Sequence, residues 1–275
     1  MEHHHVRKSG RLFDQLREIT VTYNPFSYAT SSVLIELGHT KVFCSVSLQN
    51  GVPFFLRGKG SGWLTAEYNL LPHATHQRAT RDLEQKNGRS IEIARVIGRS
   101  FRSVVDLSRI YGEKTIHIDC DVLQADGGTR VAALIGSSLA LLAAQTEWIR
   151  QKLIKSEVLS DFVIAVSIGI IGEQLIVDPD FSDDLLLDAD FNIIGTFDGH
   201  LIEIQGGAEK KPVSQKNFSH IQKTAFVLLQ NILDQLEKKG YLKHYSSKKD
   251  SLKEVKEPFF TLEKQLFALQ KNSND

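Results

Sequence analysis

Apolar and polar positions alternate in several short runs of the chain, and this alternation predicts β-strands. SSVLIEL and KVFCSVSL are rich in β-branched residues and flank Gly38-His39-Thr40, which predicts a β-hairpin. TIHIDCDVL alternates in the same way, and further strands are predicted at FVIAVSIGII, QLIVD, NIIGTF and LIEIQG. The stretch from Gly51 to about Gly88 is predicted to be rich in loops, and a structureless loop of this length is usually either functional or misassigned.

Three segments have apolar residues at helical spacing. The segment from Ser90 to Val105 is amphipathic, with arginines on its polar side. Gly127-Gly128 open a long apolar helix from about Thr129 to Leu153, whose interrupting polar residues indicate a buried helix rather than a membrane span. A third helix is predicted from the N-cap Ser214 to Lys239. Strand runs with helices inserted between them predict an α+β fold, with mixed β-sheets packed against α-helices.

The composition of the chain is that of a globular protein. With 275 residues, 41% of them apolar, and only six prolines, the chain can bury roughly 75% of the surface that its unfolded form exposes. Cys44 and Cys120 lie in apolar, alternating runs without a CxxC spacing, which predicts buried reduced thiols in a cytoplasmic protein. We expect no membrane segment. Length alone suggests one large domain or two small ones, and a change of composition at Tyr241 separates residues 1–240 from a Lys-rich extension, 241–275, near whose end one further helix is predicted.

The net charge of zero hides a segregation of charges along the chain. Residues 57–103 hold nine basic and four acidic side chains, whereas 173–209 hold ten acidic side chains and no Lys or Arg. Most of these carboxylates are explained as solvated turn residues. Asp178, Asp180, Asp183 and Asp184 are so dense, however, that a positive group is expected between them, and Mg²⁺ is the cation that carboxylate oxygens favour.

Two predicted helix starts combine glycine with arginine. Gly127-Gly128-Thr129-Arg130 follows a strand and enters a helix, so that backbone N–H groups, a hydroxyl and a guanidinium converge at the positive end of the helix dipole. Asn87-Gly88-Arg89-Ser90 repeats this arrangement at the preceding helix. Two anion sites together with a carboxylate cluster indicate phosphoryl transfer.

Five ordered blocks of the sequence resemble the ribonuclease PH family, phosphate-dependent exonucleases that trim the 3′ ends of tRNA precursors. The resemblance covers about residues 7 to 240. The blocks are SGRLFDQLR, GWLTAEYNLLPHATHQRATRD, GRSIEIARVIGRSFRSVVDL, IDCDVLQADGGTR and DPDFSDDLLLDADFN.

The resemblance implies roles for individual residues. Arg89, Thr129 and Arg130, with the helix start at Gly128, match the groups that hold inorganic phosphate, the co-substrate. Asp178 and Asp184 match the essential carboxylates, associated with Mg²⁺ and with protonation of the leaving 3′ oxygen.

The family's basic loop matches a separate stretch of the chain. Arg78 and Arg81 correspond to residues implicated in ring assembly and tRNA binding, and His73 stands in this loop where the family usually has Arg. The resemblance further implies the ribonuclease PH fold, a homo-hexamer built as a trimer of dimers, tRNA precursors as substrates, and nucleoside 5′-diphosphates as products.

Two alternatives remain open from the sequence. A catalytically inactive ring subunit would bind RNA or partners without chemistry, and a metal-dependent hydrolytic nuclease would share the carboxylates. The retention of all five site residues, Arg89, Thr129, Arg130, Asp178 and Asp184, argues against the inactive subunit. The two arginine-bearing helix starts, which hydrolysis does not need, argue against the hydrolytic nuclease.

Overall fold

The computed structural model describes residues 7–78 and 88–242, which form two β-sheets and four helices. The strands are β1 (Ile19–Tyr23), β2 (Ser31–Leu37), β3 (Thr40–Asn50), β4 (Trp63–Leu70), β5 (Lys114–Gln124), β6 (Val163–Ile171), β7 (Gln174–Val177), β8 (Ala189–Thr196) and β9 (Leu201–Ala208). The helices are α1 (Gly88–Arg102), α2 (Thr129–Arg150), α3 (Phe181–Asp184) and α4 (Gln215–Lys238). This architecture confirms the predicted α+β class.

The first sheet has five strands in the order β1-β2-β3-β5-β4. Its neighbours are antiparallel except β4 and β5, which run parallel. The predicted hairpin is present: Leu37 pairs with Thr40, so Gly38 and His39 form the connection. Because β4 and β5 run parallel, their carboxyl ends meet at one edge of the sheet, where the functional site lies.

Helix α2 is the central core element. It packs against β2, β3 and β5 on one side and against β6 on the other. It is long and apolar enough to cross a membrane, but 78% of its most apolar window is buried inside the fold. The sequence-based expectation of a buried helix is therefore confirmed.

The second sheet has four antiparallel strands in the order β7-β6-β8-β9. Helix α4 packs against β6, and the Ser214 hydroxyl accepts the Asn217 N–H at 3.1 Å, as predicted for an N-cap. The fold continues two residues past the predicted boundary, because Leu242 is buried and the Tyr241 carbonyl accepts a hydrogen bond from the Tyr23 hydroxyl at 2.9 Å. The predicted tail from residue 243 onward lies outside the described residues.

Two strands were missed by the sequence reasoning. β4 runs through the stretch predicted as a loop, and β1 precedes the first predicted strand. The loop prediction was wrong for this segment. Only Leu64 and Tyr68 of β4 are fully buried, so the strand lacks the regular alternation of apolar and polar residues that predicts a strand. The strand is defined by parallel pairing with β5, a contact between distant parts of the chain that local periodicity does not record.

The two cysteines are free and buried, as predicted. Cys44 on β3 lies directly opposite Cys120 on β5. Burial raises the pKa of the Cys44 thiol well above its ordinary value, which makes this thiol unreactive.

Candidate active site

The acidic run folds into a loop and a single helical turn between β7 and β8. Asp180 is the N-cap of α3: its Oδ1 accepts the N–H groups of Ser182 (3.0 Å) and Asp183 (3.1 Å). Asp183 in turn accepts the Asp180 N–H at 3.1 Å, which completes a capping box. Burial alone would raise the pKa of Asp180, but the bonds from Ser182, Asp183 and Arg11 hold it well below its ordinary value.

Three arginines of the N-terminal segment, Arg7, Arg11 and Arg17, form ion pairs with the carboxylates of this loop. Arg7 is fully buried and binds Asp183 Oδ2 through Nη2 (2.7 Å) and Nε (3.0 Å). Arg11 reaches Asp180 Oδ2 at 3.2 Å. The density of carboxylates in this run predicted a positive group between them. For Asp180 and Asp183, Arg11 and Arg7 supply this positive charge.

Asp178 has a different set of partners from the one expected for a metal ligand. The Arg17 guanidinium binds the Asp178 carboxylate side-on, with Nε 2.9 Å from Oδ2 and Nη2 2.6 Å from Oδ1. The Arg17 backbone N–H also donates to Oδ2 at 2.9 Å. Both side chains are about 95% buried. The predicted role of Asp178 as a catalytic and metal-binding residue stays a prediction.

Asp184 lies apart from this network and instead interacts with Asp190 at the start of β8. Partial burial, and then the negative charge of Asp190, raise the pKa of Asp184. The pKa of Asp190 is likewise raised, by partial burial and then by Glu209. The positive charge of Arg89 lowers the pKa of both carboxylates.

The helix start Gly127-Gly128-Thr129-Arg130, which is one of the two predicted anion sites, lies beside these residues. Gly128 is the N-cap of α2 in a left-handed conformation (φ +69°), and it has no side chain to cap the first N–H groups. The buried Tyr68 hydroxyl lies 2.8 Å from Thr129 Oγ1 and donates to it, which leaves the Thr129 hydroxyl proton for another acceptor. Burial raises the pKa of Tyr68 to about 12, so this group remains a donor.

Arg130 links the two helix starts. Its Nη1 donates to Gln205 Oε1 at 2.8 Å, and its Nη2 lies 3.4 Å from Glu92 Oε1 in the first turns of α1. Its Nε is buried and finds no hydrogen-bond acceptor among the described residues. The positive charge of Arg130 lowers the pKa of Asp190 and of Tyr68, as that of Arg89 does, and the contact with Glu92 brings the two helix starts together.

The predicted RNA-binding or ring-assembly loop borders this cleft. His73 and Arg78 line one shallow pocket together with Leu71 and Pro72. The His76 ring packs on the Phe181 ring of α3, with centroids 4.9 Å apart, so the loop contacts the acidic turn. Arg81 and Asn87 lie outside the described residues.

The resemblance implies bound Mg²⁺, and the carboxylates of the cleft are the side chains that could bind it. Within 7–78 and 88–242, no group of three or more His, Cys, Asp and Glu side chains could hold a metal ion by itself. Asp184 and Asp190 are two carboxylates whose charges repel each other, and Mg²⁺ is commonly held by one or two carboxylates plus substrate phosphates. The residues present therefore fit Mg²⁺ bound jointly with a substrate.

Sequence reasoning missed three residues of the cleft: Tyr68, Asp190 and Arg17. Asp190 could have been found from the sequence, because it stands in the same acidic run, two positions before the predicted strand NIIGTF. Tyr68 lies in the stretch taken as a loop. Nothing local to Arg17 indicates its partner, because 161 positions separate it from Asp178.

Comparison with known proteins identifies the class of protein to which this fold and cleft belong, a family of 3′ exoribonucleases that is described by two domains. Residues 15–147 match the 3′ exoribonuclease family, domain 1, and residues 161–226 match domain 2 of the same family. The chain belongs to the ribonuclease PH family of 3′ exoribonucleases.

Solved structures show the same fold. An Archaeoglobus fulgidus exosome with RNA bound to the active site contains a chain 25% identical to this one, with a TM-score of 0.71, over 84% of this chain and 92% of that chain. An archaeal exosome core contains a chain 24% identical, with a TM-score of 0.68, over 87% of this chain and 91% of that chain.

Proposed function

We propose that this protein is a phosphate-dependent 3′-to-5′ exoribonuclease that removes nucleotides after the CCA end of tRNA precursors. Inorganic phosphate is the nucleophile, and nucleoside 5′-diphosphates are released. The observation that carries the proposal is the convergence of two arginine-bearing helix starts with Asp184 and Asp190 in one cleft. Phosphorolysis needs an anion site beside the scissile phosphodiester, and hydrolysis does not.

The groups of the cleft divide the work. Arg89, Thr129, Arg130 and the N–H groups after Gly128 bind and orient inorganic phosphate, and the unpaired Nε of Arg130 is one donor for it. One phosphate oxygen forms a bond to the terminal phosphorus, the bond from phosphorus to the 3′ oxygen breaks, and that oxygen takes up a proton. Holding two anions in line lowers the entropic and electrostatic cost of this step.

For the metal, the geometry favours Asp184 with Asp190 over the pair Asp184 and Asp178. Asp178 is already paired with Arg17, whereas the negative charge of Asp190 raises the pKa of Asp184. Bound Mg²⁺ would neutralise charge on the transferring phosphoryl group.

The proposal extends to assembly and location. We infer a homo-hexameric, cytoplasmic ring, supported by the family and by structural neighbours that are exosome assemblies. His73 and Arg78, which share a pocket beside the cleft, are proposed to contact RNA or a neighbouring subunit, as is Arg81.

The test incubates the protein and Mg²⁺ with a tRNA that bears extra 3′ nucleotides, with and without inorganic phosphate. Nucleoside diphosphates that form only with phosphate are the expected products, and a tRNA ending in CCA should not be shortened. Monophosphates would instead indicate a hydrolytic nuclease. RNA binding without any product would indicate the second candidate, an inactive RNA-binding ring subunit.

A further inference from the structure

Gln205 on β9 is the main partner of the Arg130 guanidinium among the described residues. Its Oε1 accepts a hydrogen bond from Arg130 Nη1 at 2.8 Å. The other contact, from Nη2 to Glu92, is 3.4 Å long, and the Glu92 side chain is 54% exposed. Because a guanidinium only donates hydrogen bonds, the amide oxygen of Gln205 must face Arg130. Gln205 therefore anchors one end of an arginine side chain that is itself only 15% exposed.

The bond to Nη1 leaves one complete edge of the Arg130 guanidinium for a ligand. Arg7 and Arg17 show how such an edge is used, because each binds a carboxylate through Nε and Nη2. In Arg130 the same edge consists of the buried Nε, which has no hydrogen-bond acceptor among the described residues, and Nη2, which has only the long contact to Glu92. A buried N–H without an acceptor is costly, and one oxyanion can satisfy both donors of the edge.

The second sheet sets the position of Gln205 relative to the carboxylates of the cleft. Gln205 lies opposite Asn192 of β8, and the next pair on the same face is Gly207 with Asp190. Asn192 Nδ2 lies 3.5 Å from Asp190 Oδ2. A Cβ on Gly207 would meet no atom of the described residues within 4 Å, so this face of the sheet is open beside Asp190.

The bond between Gln205 and Arg130 joins the two matched parts of the chain. Arg130 lies within residues 15–147, which match domain 1, and Gln205 lies within 161–226, which match domain 2. The phosphate-binding groups of the proposed mechanism belong to the first part, whereas Asp184 and Asp190 belong to the second. A bond across this boundary can therefore set the position of phosphate relative to the carboxylates.

We propose that Gln205 is a positioning residue for phosphorolysis: it holds Nη1 of Arg130, so that the edge formed by Nε and Nη2 faces inorganic phosphate. The inference rests on the proposed function, because it assigns a further residue to the same site. Gln205 acts through Arg130.

Two substitutions of Gln205 test this role. Gln205→Met keeps the length of the side chain but has no strong acceptor, and Gln205→Asn keeps the amide on a shorter side chain. Gln205→Met is also combined with Arg130→Ala. The measurements are calorimetric binding of inorganic phosphate, and nucleotide release at varied phosphate and at varied RNA, with circular dichroism to check folding.

We expect both single variants to bind inorganic phosphate about 10-fold more weakly, since a hydrogen bond to a charged group contributes a factor of at least this size. The KM for phosphate should rise correspondingly, whereas the KM for RNA should stay at the wild-type value. Adding Gln205→Met to Arg130→Ala should cause no further loss of kcat/KM for phosphate, because the two residues act as one unit.

Three outcomes would overturn the proposal. Wild-type phosphate affinity in the folded variants would show that Gln205 does not orient Arg130. An equal rise in the KM for RNA would indicate a general distortion of the cleft. A further loss of kcat/KM for phosphate in the double variant would show that Gln205 acts by a route that does not pass through Arg130.

Two controls separate this bond from neighbouring contacts. Glu203→Gln changes a residue two positions away on β9 and alters its 2.6 Å contact with Arg99 of α1, and phosphate affinity should stay unchanged. Glu92→Gln alters only the long contact to Nη2 of Arg130, a donor that phosphate would take over, so phosphate affinity should not fall. A loss in Glu92→Gln without one in Gln205→Met would make Glu92 the anchor instead.

Failure of the proposed function is recognised separately. A wild-type protein that binds phosphate but releases no diphosphates would refute phosphorolysis, and the binding comparison would still decide whether Gln205 orients Arg130. A wild-type protein that binds no phosphate would refute both proposals.

Discussion

At the scale of single residues, the cleft holds two carboxylates whose charged forms are destabilised by their surroundings. Asp184 and Asp190 both have raised pKa values, because partial burial and neighbouring negative charge disfavour ionisation. Such an arrangement costs stability at neutral pH and is typical of functional sites. It distinguishes these two residues from Asp180 and Asp183, whose charges are balanced by arginines.

Replacing one member of the pair should reveal the coupling. In Asp190→Asn the pKa of Asp184 should fall towards that of an ordinary aspartate, which carboxyl ¹³C NMR titration measures directly. Because a raised folded-state pKa costs stability as the pH rises through it, this variant should also melt higher than wild type at pH 7 and not at pH 3. Asp188→Asn, in the same acidic run, is the control and should leave the pKa of Asp184 unchanged. An unchanged pKa of Asp184 in Asp190→Asn would show that Asp190 does not act on Asp184.

Arg130 is the residue whose loss should affect catalysis most directly. Arg130→Ala should slow phosphate-dependent nucleotide release several hundred-fold, since one charged contact of this kind contributes about 3 to 4 kcal/mol in the transition state. Its melting temperature should stay close to wild type. Arg99→Ala, which removes an exposed contact of α1 to Glu203, is the matched control and should retain full activity. Near-normal rates in Arg130→Ala would remove this residue from the phosphate site.

At the scale of elements, the N-terminal segment acts as a brace for α3. Arg7 donates to the carbonyls of Leu12, Val177 and Asp178 in addition to Asp183, so one buried side chain holds the end of β7 and the helical turn together. The resemblance to a known family included this segment, but the spacing of its residues gave no reason for their role.

Loss of the Arg7 brace should destabilise the whole fold. Arg7→Met leaves Asp183 buried without its partner, and a change of this kind costs about 3 to 5 kcal/mol of the free energy of unfolding. Urea denaturation measures this loss. Lys41→Met, which removes an exposed pair with Glu36, should cost no more than about 1 kcal/mol. Equal midpoints for the two variants would contradict the brace.

Elements differ in how far their sequences predicted them. α2 and α4 were predicted within a few residues, because each carries a long periodic pattern and an N-terminal signal, Gly128 or Ser214. β4 was missed because its place in the sheet comes from parallel pairing with β5, whose residues lie about fifty positions further on.

At the scale of the whole molecule, the first sheet, α2 and the second sheet share one core, and the end of α4 closes it against β1. The Val21 N–H donates to the Tyr241 hydroxyl at 3.3 Å, and the Tyr23 hydroxyl donates to the Tyr241 carbonyl at 2.9 Å. The folded unit therefore includes Tyr241 and Leu242.

Two truncations test this limit. A chain ending at Leu242 should melt at a higher temperature than one ending at Gly240. The shorter chain loses about 1 kcal/mol for each Tyr241 hydrogen bond and about 2 kcal/mol for the burial of Leu242. Thermal unfolding of both chains measures the difference. Equal melting temperatures would place the limit of the fold at Gly240.

The sequence by itself determined the strand and helix periods, the two glycine-arginine helix starts and the family. These features are local, or are carried by ordered blocks, so they can be read without knowing which parts of the chain meet. Only the tertiary structure decided which charges face each other, because the Arg7–Asp183 and Arg17–Asp178 pairs join positions 176 and 161 residues apart. Within the same acidic run, Asp178, Asp180 and Asp183 form ion pairs with arginines, whereas Asp184 lies beside Asp190. Tertiary contacts decide this division, and the spacing of the residues along the chain does not.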